Sequence, residues 1–381
     1  MTNTFLIISH VLHKRNTLGE IGGYAPYIRE MNIWLKYVEK VIIVAPVASI
    51  EFDAIDIPYN HSNIEFRKVP AIDFTSVKNS LISICYLPFI MWKLTGAMRQ
   101  ANHIHLRCPG NMGLLGCFAQ LFFPKKKKTA KYAGNWDWNS LQPASYRLQQ
   151  KILQSELFTK NMTALVYGKW QPWTKNLKEF FTASYSAQMF EKPIIERSDF
   201  NQEIRFVFAG TLSEGKQPLL SAQTVKHLIE TYPDRHFRLD FLGEGAEREK
   251  LQTFIDENNL QSNVFLHGSV HPETVVEYLQ QAHFLLFISK SEGWPKAVAE
   301  AMCWGCVPVT TDVSCVGMML DYGKRGKLVN PNVYAIADAL NHYLCDENYY
   351  QQHSDAAQKW SRQYTLERFE EEIKKLLIVN C

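Results

Sequence analysis

The sequence has little that would carry it out of the cytosol. Its first apolar run, Phe5–Ile8, is too short for a signal-peptide core and has no basic residue before it. No stretch reaches the ~18–20 apolar residues of a spanning helix. Leu81–Trp92 is broken by Pro88, and Leu114–Phe123 is shorter. Eight cysteines are present without disulfide-framework spacing, and several sit inside apolar runs, as buried reduced thiols do. There is no internal repeat, and the one low-complexity tract is Lys125–Lys128. These absences predict a cytoplasmic globular protein.

What is present is size and an uneven charge. A chain of 381 residues can bury two α/β cores. The net charge of +3 hides an asymmetry: residues 1–190 carry 22 Lys and Arg against 11 Asp and Glu, and residues 191–381 carry 19 against 27. One basic and one acidic half predict two bodies with different partners. A basic half suits a phosphorylated substrate, an anionic membrane or nucleic acid. No nucleic-acid-binding module accompanies it, so nucleic acid is not expected.

Short β-rich runs alternate with amphipathic stretches in both halves. In the first half, Phe5–Ser9, Val41–Ala45, His103–Leu106, Thr129–Tyr132 and Ala164–Tyr167 read as strands, and Tyr24–Val38 has helical period. Residues 191–203 form a polar, acidic candidate linker with Pro193. The pattern restarts with strands at Arg205–Ala209, Leu239–Leu242, Val264–Leu266, Phe284–Ile288 and Val307–Thr310. Helical stretches Pro218–Glu230, Ala246–Asn258, Glu273–Gln281 and Pro295–Trp304 lie between them, and Val333–Cys345, Tyr349–Arg362 and Thr365–Leu377 close the chain. Strands alternating with helices of this length predict parallel sheets wound on both faces, with ligands at the carboxyl ends of the strands.

The most informative stretch is residues 289–308, SKSEGWPKAVAEAMCWGCVP. A strand ends near Ile288, a loop carries Glu292 and Gly293, and Pro295 stands where a helix begins, a position that needs no N–H. Free backbone donors at that helix start suit a phosphate or diphosphate. Glu300 lies about 7.5 Å further along the axis at 1.5 Å per residue. Two carboxylates flanking a helix start match an extended ligand of the form sugar–diphosphate–ribose.

The Glu292-x7-Glu300 pattern, continued by Ala301-Met302 and Gly305, resembles the hallmark of the retaining "glycosyl transferases group 1" family. Further resemblances are Phe208-Ala-Gly-Thr-Leu-Ser-Glu-Gly-Lys216, Phe241-Leu-Gly-Glu-Gly245 and the stretch to Leu251, Val264–Gly268 and Gly326–Pro331. The likeness covers most of residues 204–378. It implies a GT-B fold: two Rossmann-like doubly wound α/β domains facing a central cleft. Residues 1–190 would bind the acceptor, joined by a C-terminal helix at about 362–381, and residues 204–361 would bind the donor.

The implied activity is transfer of a sugar from a nucleotide-sugar, a UDP- or GDP-sugar, to a hydroxyl of a saccharide or lipid-linked acceptor in bacterial surface polysaccharide biosynthesis. Glu292 would take hydroxyls of the transferred sugar, Glu300 the ribose hydroxyls, and Lys216 the diphosphate charge. Gly293, Trp294, Pro295 and Lys296 would line the donor, with Gly210, Thr211 and Gly243 in the two preceding loops. Gly22 and Gly23 match the family's glycine loop after the first strand. The sequence has no Asp-x-Asp pair, so no metal and no further cofactor are expected. The competing readings are another GT-B sugar-nucleotide enzyme, such as an epimerase or inverting transferase, and a non-catalytic sugar-nucleotide-binding subunit.

Two positions depart from the family. Thr211 stands where the family has Arg, so either a second cation would come from Lys14, Arg15 or Arg107, or diphosphate binding would be weaker. Residues 134–137 (Gly-Asn-Trp-Asp) replace a catalytically placed His. Asn135, Trp136 and Asp137, with Tyr24 and Arg107, are therefore read as acceptor-facing, Trp136 as a platform for sugar rings. A capped turn is the alternative.

Three further signals compete with blander readings. Gly110-x-x-Gly113-x-x-Gly116 has the wrong spacing for a dinucleotide loop and reads better as close helix packing. Cys303-x-x-Cys306 has no second ligand pair and reads as buried packing. Lys125–Lys128 after an apolar run reads equally as a basic turn or as contact with an anionic membrane, which would place the protein on the inner face of the cell membrane.

Overall fold

The computed structural model describes residues 3–48, 50–53, 55–191, 195 and 197–377. Residues 192–194 and 196 of the expected linker lie outside the described residues, as do residues 1 and 2 and the end of the expected C-terminal helix, 378–381. The chain divides into two units, Met1–Phe181 with Phe369–Cys381, and Thr182–Arg368.

The first unit holds strands β1 (Thr4–Ile8), β2 (Lys14–Arg15), β3 (Ile21–Tyr24), β4 (Lys40–Ala45), β5 (Asp56–Pro58), β6 (Ile64–Lys68), β7 (His103–Cys108), β8 (Lys127–Tyr132), β9 (Met162–Tyr167) and β10 (Leu177–Phe180). Its helices are α1 (Ala25–Leu35), α2 (Val77–Gln100), α3 (Asn111–Ala119) and α4 (Ala144–Gln154). Seven strands form a parallel sheet in the order β10-β9-β8-β7-β1-β4-β6. Phe5–Ile8 and Val41–Ala45 are unbroken apolar runs because both sheet faces are covered, and every one of these side chains is fully buried.

The second unit holds β11 (Ile204–Ala209), β12 (Phe237–Leu242), β13 (Val264–Gly268), β14 (Phe284–Phe287), β15 (Val307–Thr310) and β16 (Lys327–Leu328). They form a parallel sheet in the order β13-β12-β11-β14-β15-β16. Its helices are α5 (Pro218–Thr231), α6 (Arg248–Glu257), α7 (Pro272–Gln281), α8 (Lys296–Cys303), α9 (Val316–Met319), α10 (Val333–Cys345) and α11 (Glu347–Ser361). The ends follow ordinary capping: Asn332 accepts from Ala335 N, and Asp346 accepts from Tyr349 N. A last helix, α12 (Leu366–Leu377), places Phe369 against Phe180 and Phe181 of the first unit.

Each sheet starts at a central strand, grows outward on one side and then crosses to the other. The order reverses between β1 and β7 in the first unit and between β11 and β14 in the second. Loops that leave the carboxyl ends of the two strands at such a point diverge and leave a crevice for a ligand.

Three sequence expectations are corrected. Residues 81–92 are not broken at Pro88: α2 runs for 24 residues through it. Proline removes one backbone hydrogen bond, and here its ring is exposed on the outer side of the helix. Gly22 and Gly23 do not form an open loop. They lie buried in β3, the middle strand of a small antiparallel sheet, β2-β3-β5. A Cβ on Gly22 would stand 2.0 Å from the Ile57 carbonyl oxygen, so close strand approach explains that glycine. Nor do four lysines point outward from 125–128. Lys126 Nζ donates to the Arg99 and Ala101 carbonyls, Lys127 Nζ to Leu377, and Lys128 Nζ to Phe123. Burial lowers Lys128 to about 8, and Lys125 alone of the four is exposed.

Candidate functional site

The candidate donor site gathers at the reversal point of the second sheet. The loop after β11 is tied to the loop after β12: Leu212 N donates to Glu244 O at 2.9 Å, and Glu247 N donates to Leu212 O at 3.0 Å. A Cβ on Gly243 would lie 2.0 Å from the Gly210 carbonyl oxygen, so glycine there lets the two loops touch. The first loop then makes one tight turn, Glu214–Lys216, that turns the Lys216 side chain back alongside Gly210. Thr211 is exposed between them.

The loop after β14, residues 289–295, is fixed from two sides. Lys290 N donates to Gly215 O at 2.8 Å, joining it to the first loop. Thr311 Oγ1 donates to the Ser289 carbonyl, and Ser314 Oγ donates to the Gly293 carbonyl at 2.8 Å. This fixing brings two predicted residues into contact. Lys216 Nζ lies 2.8 Å from Glu292 Oε1, and Ser289 Oγ donates to the same oxygen at 2.8 Å. Lys216 Nζ also sits 4.5 Å from the centre of the Phe287 ring. The pair is partly open, with 24% and 15% of the two side chains exposed.

Helix α8 starts at Lys296, with Pro295 at its cap and no acidic residue in its first turn, which leaves the positive end of the helix unopposed there. Trp294 packs edge-on to Tyr364 at 5.8 Å. Glu300, a turn further on, is half-buried and accepts from Ser184 Oγ. Burial raises its carboxyl pKa, against the opposing pull of Ser184 and Lys296. The arrangement offers an ammonium, the backbone donors of a helix start and two carboxylates on neighbouring segments of one unit.

The expected acceptor residues are placed differently. Trp136 is not a platform: it is fully buried, edge-on to Tyr132 at 4.9 Å and to Trp138 at 6.1 Å. Asn135 is buried and accepts from Asp137 N, while Asp137 accepts from Asn139 N, which is the capped turn. Arg107 is turned inward to Glu30 at 3.3 Å and lies over the Tyr27 ring. Lys14 is paired with Asp53 and Asp56, and Arg15 donates to the Gly19 carbonyl, so both have protein partners in place of a phosphate. Tyr24 stands exposed at the start of α1.

The sequence reading missed His10. It lies two residues after β1, and a Cβ on Gly110, two residues after β7, would meet its Nδ1 at 2.5 Å. His10 therefore stands at the reversal point of the first sheet, against the loop that leaves the neighbouring strand. Burial, and then the charge of Arg107, lower its pKa below the ordinary 6.5, which keeps the ring neutral. Its position after the run FLIIS was legible; the identity of β7 as the neighbour of β1 was not.

The discounted motifs fall out as packing. A Cβ on Gly113 would lie 2.6 Å from the Arg107 carbonyl oxygen, as α3 presses on β7. Cys303 and Cys306 are buried, and burial pushes both thiols up to about 12.

Two doubly wound α/β units in tandem, each with its reversal point at the carboxyl edge of a parallel sheet, define the GT-B class. Residues 191–360, most of the second unit, match the family "Glycosyl transferases group 1". An uncharacterized glycosyltransferase of Methanocaldococcus jannaschii is 28% identical over 174 residues, 42% of either chain. The poly(glycerol-phosphate) alpha-glucosyltransferase of Bacillus subtilis is 25% identical over 174 residues, 43% of this chain and 24% of its own. These alignments thus span less than half of either relative. HepE of Anabaena, solved in complex with UDP and glucose, superimposes with a TM-score of 0.67 at 11% identity, covering 99% of each chain.

Proposed function

We propose that the chain is a retaining glycosyltransferase that takes a nucleotide-sugar in its second unit and passes the sugar to a hydroxyl of a saccharide or lipid-linked acceptor held by its first unit. The observation that carries this reading is the meeting of Lys216, Glu292 and Ser289 at the reversal point of the second sheet, with α8 starting beside them. The UDP and glucose bound by HepE and the glucosyl transfer named for the Bacillus subtilis relative support a nucleotide-sugar donor, with a UDP-sugar and a GDP-sugar both to be tested. That relative's name also points to a polymer as the acceptor.

In this reading the bond from the anomeric carbon to the diphosphate oxygen breaks, and its electron pair stays on the phosphate. Lys216 and the backbone donors at the start of α8 are placed to stabilise that charge as it develops. Glu300 accepts from the ribose hydroxyls, and Glu292 from hydroxyls of the sugar. The acceptor oxygen bonds to the anomeric carbon on the face the phosphate left and gives up its proton to the departing phosphate oxygen.

The test is nucleotide release from UDP-glucose and GDP-mannose with a mixed saccharide acceptor pool, with the product's anomeric configuration read by NMR. Turnover that needs acceptor, retains configuration and disappears in Lys216→Ala is expected. Hydrolysis or epimerisation without acceptor would replace the reading with another sugar-nucleotide enzyme. Binding with no turnover of any donor would make the protein a non-catalytic subunit. Turnover is expected to persist in EDTA, because the diphosphate charge is assigned to Lys216 and to backbone donors.

A further inference from the structure

Helix α2 packs one face on its own unit and leaves the other bare. Ser83, Ile90, Leu94, Ala97 and Met98 are buried, four of them in the core beneath β1 and β4. At 100° per residue, Val77, Leu81, Ile84, Cys85, Pro88 and Trp92 fall along one stripe on the opposite side. All six are exposed, Val77 to 81%, Leu81 to 62% and Trp92 to 66%. Ile82, Tyr86 and Phe89 are exposed along its flank. The helix is apolar and long enough to cross a membrane, with mean hydropathy 1.5, yet its buried face holds it flat against the sheet.

The charge around the stripe has one sign. No Asp or Glu lies between Val77 and Gln100, whereas Lys78, Lys93 and Arg99 do. Lys93 Nζ stands 5.5 Å from the ring centres of both Phe89 and Trp92. The acidic residue just before the helix, Asp73, is turned into its first turn by hydrogen bonds from Thr75 and Asn79. At the far end Lys126 caps the last carbonyls, and Leu121, Phe122 and Lys125 are exposed in the adjoining turn. A Trp-, Tyr- and Leu-bearing helix face whose own charged residues are all cations has the composition of a helix lying in the headgroup layer of an anionic bilayer.

We infer that α2 is an in-plane membrane-docking helix whose outer face takes an anionic lipid surface. The first unit's excess of Lys and Arg supplies long-range attraction, and the Leu81–Ile84–Trp92 stripe supplies the apolar contact. Contact of this kind would hold the enzyme beside a lipid-linked acceptor. Docking itself does not depend on transfer chemistry, which nucleotide release reads separately.

The test is co-sedimentation of the full chain with vesicles of equal parts phosphatidylglycerol and phosphatidylcholine, and with phosphatidylcholine alone. Binding to the anionic vesicles that weakens at about 0.5 M salt is expected. It should fall at least about tenfold in Leu81→Ser/Ile84→Ser/Trp92→Ser, which removes three large apolar side chains from the contact. No sedimentation of the wild type, equal binding to neutral vesicles, or full binding by the triple variant would each overturn the inference. So would a lipid-free dimer of the wild type that the triple variant abolishes, since the face would then meet a second copy. Because a triple variant can misfold, a bimane label on Cys85 in a Cys345→Ser/Cys381→Ser background gives a second reading. Its emission should shift to the blue with anionic vesicles, and an unchanged spectrum would sink the idea.

Discussion

Lys216 Nζ and Glu292 Oε1 stand 2.8 Å apart, although one residue is assigned to the diphosphate and the other to the sugar. In the proposed reading the carboxylate holds the ammonium where the diphosphate would arrive, and the incoming phosphate would compete with it. The two substitutions should therefore separate. Lys216→Ala should weaken UDP binding and lower kcat about 10²–10³-fold, the effect of losing one donor to the developing charge. Glu292→Ala should lower turnover as well, yet leave UDP binding unchanged or tighter, because the ammonium is released. Calorimetry with UDP, paired with initial rates, checks both. Neither change should shift stability by more than about 1 kcal/mol, since the pair is partly exposed.

Glu300 carries a carboxyl whose pKa burial has raised. If it accepts from ribose hydroxyls, its ionised form is the binding form. UDP affinity should then fall as pH drops through that raised pKa, and Glu300→Gln should remove the dependence. Losing a charge-assisted hydrogen bond of about 1.5–3 kcal/mol predicts about 10–100-fold weaker UDP binding in Glu300→Gln at neutral pH. Unchanged affinity would assign the ribose to another group and leave Glu300 as a partner of Ser184.

In the first unit, Glu30 accepts from two buried cations, Lys131 at 2.8 Å and Arg107 at 3.3 Å, and Lys131 is enclosed by the rings of Tyr167, Phe180 and Phe369. Glu30→Gln leaves both without their counter-ion and should destabilise the chain by about 3–5 kcal/mol in urea titration. Burial is the main cause that lowers Lys131 to about 8, with Glu30 opposing it. The unfolded chain keeps that proton up to the ordinary 10.5, so unfolding takes up a proton between about 8 and 10.5. Stability should therefore rise with pH across that window. Lys131→Met should flatten the rise.

The sequence made the second unit legible because its signals are local. Pro295 marks a helix start, Glu292 and Glu300 sit at fixed spacing, and the central strands hold apolar runs such as Phe206–Ala209 and Phe284–Ile288. The first unit was less legible where contacts are distant. Trp136 beside Asn135 and Asp137 has the composition of a sugar platform, and only the packing of Tyr132 and Trp138 around it shows a core residue. Gly22 invites a loop reading because its neighbour Ile57, 35 positions away, cannot be inferred. Helix α2 was hidden for a different reason: Pro88 is a breaker in an interior turn but is tolerated where its ring is exposed on the outer side.

His10 illustrates the same limit and gives the sharpest test of the first unit. Parallel sheets bind ligands where the strand order reverses, and in this sheet that point lies between β1 and β7. His10 lies two residues past the end of the first of those strands and against Gly110, two residues past the end of the second. With its pKa lowered by burial and by Arg107, the ring is neutral at pH 7 and can accept a hydrogen bond from an acceptor hydroxyl. His10→Ala should lower kcat/KM for the acceptor by about tenfold or more, the scale of one hydrogen bond at a reacting centre, while UDP affinity and thermal stability stay as they were. In the wild type, acceptor kcat/KM should hold steady from pH 8 down to about pH 6.5, the ordinary value of a free imidazole. It should fall only below that, once the ring takes a proton. A profile that falls with an unshifted midpoint near 6.5, or a His10→Ala variant as active as wild type, would remove His10 from the acceptor site and leave it as packing against Gly110.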